Sequence, residues 1–212
     1  MIVLELAVIA FVFWADAHKL VPVSKTPFLF LLGWASLRLR GLRWRSVGMF
    51  IWGSWRATVI VGVLGGIAIE LLELFVTQPL LTRLFHQGPD LSLFHALHGN
   101  WKLLALALAL TWTLAAFGEE MVWRGYITNR VADVLGRTRW AWTAALVLVS
   151  IAFGFAHEYQ GAVGVIENAL DGLLLALLYV RFGNSLAVPI IAHGVTDTVD
   201  TVLLFLGKYP GV

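Results

Sequence analysis

The chain has 212 residues, of which 59% are hydrophobic and 13% are charged, and its mean hydropathy is +0.83. A water-soluble domain of this length does not combine so much apolar sequence with so little charge, so the composition indicates an integral membrane protein. The net charge of +2 comes from arginines at the ends of apolar segments, which gives no support for nucleic-acid binding, and the absence of cysteine excludes disulfides, thiolate nucleophiles and cysteine-bound metal centres.

The chain begins with a predicted membrane helix and a shorter apolar element. Residues 1–14 are apolar, no basic residues precede them and Glu5 interrupts them, so we interpret them as a retained membrane helix and not as a cleaved signal peptide. Residues 27–39 are also apolar, but they are fewer than the roughly 20 residues that cross a bilayer. Because arginines interleaved with tryptophans follow directly, this element is expected to be interfacial or half-inserted.

A second membrane span is predicted over residues 58–76. Gly62 and Gly66 stand at the GxxxG spacing, which allows two helices to approach closely. The following residues, 77–100, are more polar and contain prolines, so they predict an external loop with a short helix. Further spans are predicted at 101–117, continuing towards residue 130, and at 140–156, 161–180 and 185–206. The whole pattern predicts one domain over residues 1–212, an all-α integral membrane bundle of about six to eight helices.

Basic residues are unevenly distributed between the two sets of loops. One face carries Arg38, Arg40, Arg43, Arg45, Arg56, Arg130, Arg137, Arg139 and Arg181, and the other carries Arg83, Lys102 and Lys208. The positive-inside rule assigns the arginine-rich face to the cytoplasm. We therefore expect a multi-pass protein of the plasma (inner) membrane of a prokaryote, with the side of the N-terminus left open.

Two adjacent acids and an arginine lie inside one apolar segment, where each would cost about 2.5 kcal/mol or more if it faced lipid. Glu120 and Arg124 are four residues apart on one helix face and can form an ion pair. Glu119 points about 100° away and stays available as a general base. The alternative for this motif is a purely structural ion pair near a helix end.

Two histidines and an aspartate occupy two further apolar segments. His157 ends one of them and is either a base or metal ligand or an interfacial residue that caps the helix. His193 and Asp197 are four residues apart inside the last segment, where the alternative to a function is a simple buried hydrogen bond. Because isolated charges are costly in a membrane, all these side chains are expected to face one another in an intramembrane polar cavity.

Together these three elements resemble the hallmark of the CAAX protease and bacteriocin-processing family, also called the Abi family, in which EExxxR, FxxxH and HxxxN or HxxxD lie on separate membrane helices. The matching residues are Glu119-Glu120-xxx-Arg124, Phe153-xxx-His157 and His193-xxx-Asp197. Smaller matches are Gly125-Tyr126, Tyr159-Gln160-Gly161 and the stretch 172–186. The resemblance covers residues 103–204, about half of the chain.

The resemblance implies an intramembrane endopeptidase that hydrolyses a peptide bond in a membrane-associated protein or peptide, in a polar cavity reached from the cytoplasmic side. It implies that Glu119 and His157 activate a water for attack on the peptide carbonyl. Glu120 and Arg124 would hold their helix in register. The implied partners are the substrate and the lipid bilayer, without nucleic acid.

The resemblance further implies that His193 and Asp197 stabilise the oxyanion. The alternative is a zinc site, whose ligands would be Glu119, His157, His193 and Asp197. Nothing in the chain has the HExxH spacing, so the two histidines would have to come from different helices. We favour a mechanism without a metal or other cofactor.

Simple helix geometry raises one difficulty for this site. On a straight helix Glu119 would lie about 16 Å from a cytoplasmic edge at Arg130. His157 would lie about 30 Å from the same edge at Arg137, so the two side chains could not meet. We therefore expect that Gly125 breaks the first helix, or that the following span is tilted or starts deeper in the membrane.

Four further acids, Glu70, Glu73, Glu167 and Asp171, lie in apolar segments, and the resemblance supplies no role for them. Glu167 and Asp171 are four residues apart and are expected to line the same cavity. Two other functions remain open. A non-catalytic immunity or scaffolding protein of the same fold would not need Glu119, and a small transporter could use the acids as a proton relay, although no inverted repeat is visible.

Overall fold

The computed structural model describes residues 2–21 and 24–210, and within these ranges the chain is helical and contains no strands. Its helices are α1 (Ile2–Ala17), α2 (Thr26–Leu39), α3 (Trp55–Phe85), α4 (Trp101–Val134), α5 (Arg139–Phe155), α6 (Gly161–Arg181) and α7 (Ala187–Leu206). Single 3₁₀ turns lie at Trp44–Val47, Ser92–Leu97 and Glu158–Gln160. The predicted all-α membrane bundle is confirmed.

Four of these helices, α3, α4, α6 and α7, are long and apolar enough to cross a bilayer. Helices α2 and α5 are apolar but have 14 and 17 residues, so α5 extends for only about 25 Å. The chain is therefore a multi-pass membrane protein in which long spans alternate with shorter helices. Glu5 of α1 is buried, and the guanidinium of Arg40, just after α2, pairs with its carboxylate at 2.6 Å.

Helices α3 to α7 run alternately up and down, which gathers the arginine-rich loops at one end. At that end the backbone N–H of Leu186 donates to the carbonyl of Gly48 at 2.8 Å. At the other end the N–H of Gly99 donates to the carbonyl of Phe205 at 2.9 Å. The bundle thus has an arginine end and an opposite end, formed by the segment 86–100 and the residues after α7.

The close helix approach predicted at the GxxxG spacing is confirmed. Helix α3 packs along α7, and a Cβ atom placed on Gly66 would lie 2.5 Å from the carbonyl oxygen of Ala192. A Cβ on Gly62 would lie 2.6 Å from the Cβ of Ile191. Since no real side chain tolerates these distances, the two glycines set the separation between α3 and α7.

The short helix predicted within residues 77–100 is present at Gln78–Phe85, but it continues α3 directly and is not part of a separate loop. Pro79 would break a regular α-helix, since it has no N–H and clashes with the carbonyl four residues before it. A π-helical stretch at Glu73–Thr77 comes directly before it, and Pro79 then lies in the first turn of the α-helix that follows. The loop is therefore confined to residues 86–100.

The predicted break at Gly125 is also wrong, because α4 is continuous through this residue and contains π-helical stretches at Thr111–Glu119 and Met121–Ile127. The prediction failed because Arg130 does not mark a membrane edge. It is buried and pairs with Asp133 at 2.9 Å, and the helix continues beyond it. Glu119 then lies about 20 Å from the end of its helix, which is close to the length of α5.

Candidate active site

The two adjacent glutamates lie at the junction of the two π-helical stretches of α4, and their side chains separate. Glu120 is fully buried, whereas Glu119 is half-buried and lines a cavity. A π-helical insertion widens the helix and redirects its side chains, and such insertions are frequent at functional sites. The separation inferred from helix geometry, one paired acid beside one unpaired acid, is present in the structure.

Arg124 joins the helix of the glutamates to its neighbours. Its Nη1 donates to Oε1 of Glu120 at 2.7 Å, and its Nη2 donates to the carbonyl of Gly172 in α6 at 2.8 Å. The guanidinium lies over the ring of Phe153 in α5, 4.7 Å from its centroid. Because Arg124 is 2% exposed, these three partners replace its water shell. The contacts of Arg124 therefore fix α4 against α5 and α6.

Glu120 has a second partner that the sequence did not reveal. Nδ1 of His193 donates to the same Oε1 at 2.9 Å, so one carboxylate oxygen binds both Arg124 and His193. Nε2 of His193 lies 3.4 Å from Oδ1 of Asp197, one turn further along α7. His193 is therefore held between two carboxylates, and Glu120 orients an imidazole in addition to its arginine.

His157 has a defined tautomer. It follows α5, and its Nδ1 lies 2.9 Å from the carbonyl oxygen of Phe153, which can only accept a hydrogen bond. Nδ1 therefore carries the proton, and Nε2 of the neutral ring is left with its lone pair. The ring is fixed beside the rings of Phe153 and Tyr159. This arrangement suits a base or a hydrogen-bond acceptor for water at Nε2.

Four of the six predicted site residues line one cavity of about 360 Å³. Among the residues that line it are the predicted Glu119, His157, His193 and Asp197. Glu120 and Arg124 do not line it, because they are packed behind its wall. Apolar side chains of α4, α6 and α7, namely Leu110, Leu114, Leu175 and Leu204, complete this part of the wall. The volume is within the range of ligand sites and accommodates a short peptide segment.

The cavity lies towards the end of the bundle opposite the arginines. Its lining includes Pro89, Leu91 and Phe94 of the segment 86–100. On the arginine side, every residue from 120 to 130 is buried, so this half of α4 is packed on all faces. This geometry does not support the expected access from the arginine-rich side. The second half of α4 fills the space between the helices there.

Among the cavity residues missed from the sequence are Thr196, Asp200 and Tyr209. Asp200 follows His193 and Asp197 at the i, i+4, i+7 spacing of a single helix face, and this periodicity could have identified it. Tyr209 lies after α7 and reaches back to Glu73, with 3.5 Å between Oη and Oε1. No sequence signal pointed to it. Glu73, Glu167 and Asp171 also line the cavity, as expected for Glu167 and Asp171.

The predicted zinc ligands are not arranged as a ligand set in the part of the chain that the structure describes. No three of Glu119, His157, His193 and Asp197 bring ligand atoms within 4.8 Å of one another. Both ring nitrogens of His193 face carboxylates, so neither is free to bind a metal as it stands. The four side chains fit a hydrogen-bonding site better than a zinc site.

Comparison with known proteins gives one match. No curated protein and no solved structure matches the chain. Residues 100–199 match the model of a family described as "Type II CAAX prenyl endopeptidase Rce1-like". This segment contains the six predicted site residues and the whole of α4, α5 and α6. The match covers 100 of the 212 residues, and over this segment the chain is similar to the Rce1-like type II CAAX prenyl endopeptidases.

Proposed function

We propose that this protein is an intramembrane endopeptidase in which Glu119 and His157 activate a water. The observation that carries the proposal is the division of the two glutamates. Glu120 is buried and bound to Arg124 and His193, whereas Glu119 faces a cavity that also exposes His157. The family match supports the same class of reaction. A structural ion pair alone would not require a second, unpaired carboxylate at the wall of that cavity.

In the proposed mechanism the carboxylate of Glu119 accepts a proton from the water, whose oxygen bonds to the carbon of the peptide carbonyl. Nε2 of His157 accepts a second hydrogen bond from the same water and orients it. When the C–N bond breaks, the proton held by Glu119 passes to the leaving amine. Asp197, which lies beside His193, faces the carbonyl oxygen as it becomes an oxyanion. No step uses a metal.

The donor to the oxyanion follows from the hydrogen bonds of His193. Because Nδ1–H donates to Glu120, a neutral His193 has no second proton to donate. An ionised Asp197 only accepts hydrogen bonds. We propose that Asp197 carries a proton and donates it in a hydrogen bond to the oxyanion.

The proposed substrate is a protein or peptide whose cleavage site enters the membrane, and the family description suggests the C-terminus of a prenylated protein. Purified protein in lipid nanodiscs is given an internally quenched peptide with a farnesylated cysteine near its C-terminus, and the same peptide without the lipid. We expect cleavage of the prenylated peptide at the higher rate. No cleavage of either peptide by folded protein would favour the non-catalytic alternative.

We also propose that the protein lies in a prokaryotic plasma membrane with the arginine end in the cytoplasm. The cavity then opens away from the cytoplasm. Since the chain has no cysteine, the variants Arg45→Cys and Ser92→Cys can be labelled in intact cells with a membrane-impermeant maleimide. Labelling of Ser92→Cys alone supports this orientation, and labelling of Arg45→Cys alone reverses it.

A further inference from the structure

A second group of carboxylates lies at the wall of the same cavity, with Glu70 packed behind it, and is separate from the site described above. Glu70 and Glu73 of α3 and Asp200 of α7 each bring one carboxylate oxygen within 4.8 Å of the others. Glu167 and Asp171 of α6 line the cavity beside them. The proposed hydrolysis uses none of these five acids, so their concentration inside a membrane protein needs a separate explanation.

These acids have no cationic partner among the described residues. Every side-chain ion pair in that part of the chain involves other acids. Glu70 is 3% exposed, its ligand atom points at those of Glu73 and Asp200, and neither of its carboxylate oxygens has a hydrogen-bond partner. One buried oxygen of Asp200 and one of Glu167 are also unpartnered. Because a desolvated carboxylate is costly unless it is paired, these oxygens indicate a ligand that satisfies them.

We infer that Glu70, Glu73 and Asp200 bind a hard divalent cation, with Ca²⁺ as the preferred ion. All the ligand atoms are oxygens, which suit Ca²⁺, Mg²⁺ or Mn²⁺ and not zinc or copper. The ligand oxygens all lie within 4.8 Å of one another, and two oxygens bound to one Ca²⁺ at about 2.3–2.6 Å lie at most about 5 Å apart, so the three fit one coordination sphere. Ca²⁺ is preferred because it accepts several carboxylates in a flexible geometry, whereas Mg²⁺ demands near-ideal octahedral geometry and usually keeps several of its waters.

The ion would connect α3 to α7. Asp200 follows His193 by seven residues on α7, so the ion lies about 10 Å along the helix from the imidazole and does not touch the reacting atoms. Gly66 brings α3 against α7 one turn before Glu70, which holds the carboxylates at this separation. The cation would therefore stabilise the bundle and the far wall of the cavity. This inference does not rest on the proposed hydrolysis.

Calcium binding to the purified full chain tests the inference without an activity assay. Protein in detergent is treated with a strong chelator, dialysed free of it, and titrated with Ca²⁺ by equilibrium dialysis and by thermal unfolding, with Mg²⁺ in a parallel series. We expect one saturable Ca²⁺ per wild-type chain, a rise in unfolding temperature with Ca²⁺, and weaker binding of Mg²⁺. Glu70→Gln and Asp200→Asn, made separately, should each weaken Ca²⁺ affinity by about tenfold or more.

The control is Asp90→Asn, which removes an exposed acid of the segment 86–100 and should bind Ca²⁺ like the wild type. If one of the variants Glu70→Gln and Asp200→Asn does not fold, the other is sufficient for the test. The inference is overturned if the wild type shows no saturable binding, in which case the acids share protons instead. It is also overturned if Glu70→Gln and Asp200→Asn both retain wild-type affinity.

Discussion

Two groups of acids line or flank one cavity, and they differ in how their charge is compensated. Near α5, Glu120 shares an oxygen with Arg124 and His193, and His193 reaches Asp197. Nearer the segment 86–100, Glu70 is equally buried but has no protein partner. The first group is compensated by the chain itself, and so its geometry is fixed before any substrate binds. The second group has no such compensation from the chain, so the compensation of its charge depends on what occupies the cavity.

The largest effect is expected from neutralising the compensated acid. Glu120→Gln leaves the buried Arg124 without an anion, and breaking a buried pair in this way costs about 3–5 kcal/mol. Thermal unfolding in detergent measures the loss, with Glu119→Gln as the matched control, which should unfold like the wild type. Equal stability of the two variants, with Glu120→Gln alone inactive, would mean that the roles of the two glutamates are exchanged.

A smaller loss of stability is expected from a substitution where α3 contacts α7. This contact places the two groups of acids beside one cavity. Gly66→Ala puts a methyl group 2.5 Å from the carbonyl of Ala192, and this overpacking should cost about 1–3 kcal/mol. The adjacent Gly65→Ala is the control, because its methyl meets only the movable side-chain end of Leu178 at 3.0 Å. Unfolding temperatures of the two variants are compared. Equal losses would show that the approach at Gly66 is not tight.

A change of only a few fold in activity is expected for Asp197→Asn, because the amide supplies a hydrogen-bond donor without needing a proton. The wild type should lose activity at high pH more readily than this variant, since ionisation of Asp197 removes its donor. Rates of peptide cleavage against pH test this, with and without a strong chelator. Glu70→Gln serves as the background that removes the second site. An inactive Asp197→Asn, together with chelator sensitivity in that background, would indicate a catalytic metal.

The smallest effect is expected in the uncompensated group. In chelator-treated protein, Glu167→Gln removes a buried carboxylate whose Oε1 has no partner, so the variant should be within about 1 kcal/mol of the wild type, or more stable. The measurement is thermal unfolding, side by side with Glu120→Gln. A loss of stability as large as that of Glu120→Gln would contradict the distinction between the compensated and the uncompensated acids.

The helical membrane class, and the convergence of four of the six predicted site residues on one cavity, could be predicted from the sequence because charge in apolar segments is costly. The prediction failed where the backbone departs from ideal helices. The π-helical stretches of α3 and α4 allow Pro79 and Gly125 to lie inside continuous helices, and no residue pattern signals them. The bond from His193 to Glu120 was also hidden, since it depends on the approach of two helices 73 residues apart in the chain.

The central claim is that Glu119 is the catalytic base, and a comparison of protein termini in cells tests it most directly. Membrane fractions from cells that carry the wild type, Glu119→Gln or Glu158→Gln are analysed by terminus-selective proteomics. Glu158 is an exposed glutamate next to His157, so its variant controls for loss of a nearby charge. We predict new termini in the wild type and in Glu158→Gln that are missing from Glu119→Gln at equal protein levels. The same termini in Glu119→Gln would contradict the account.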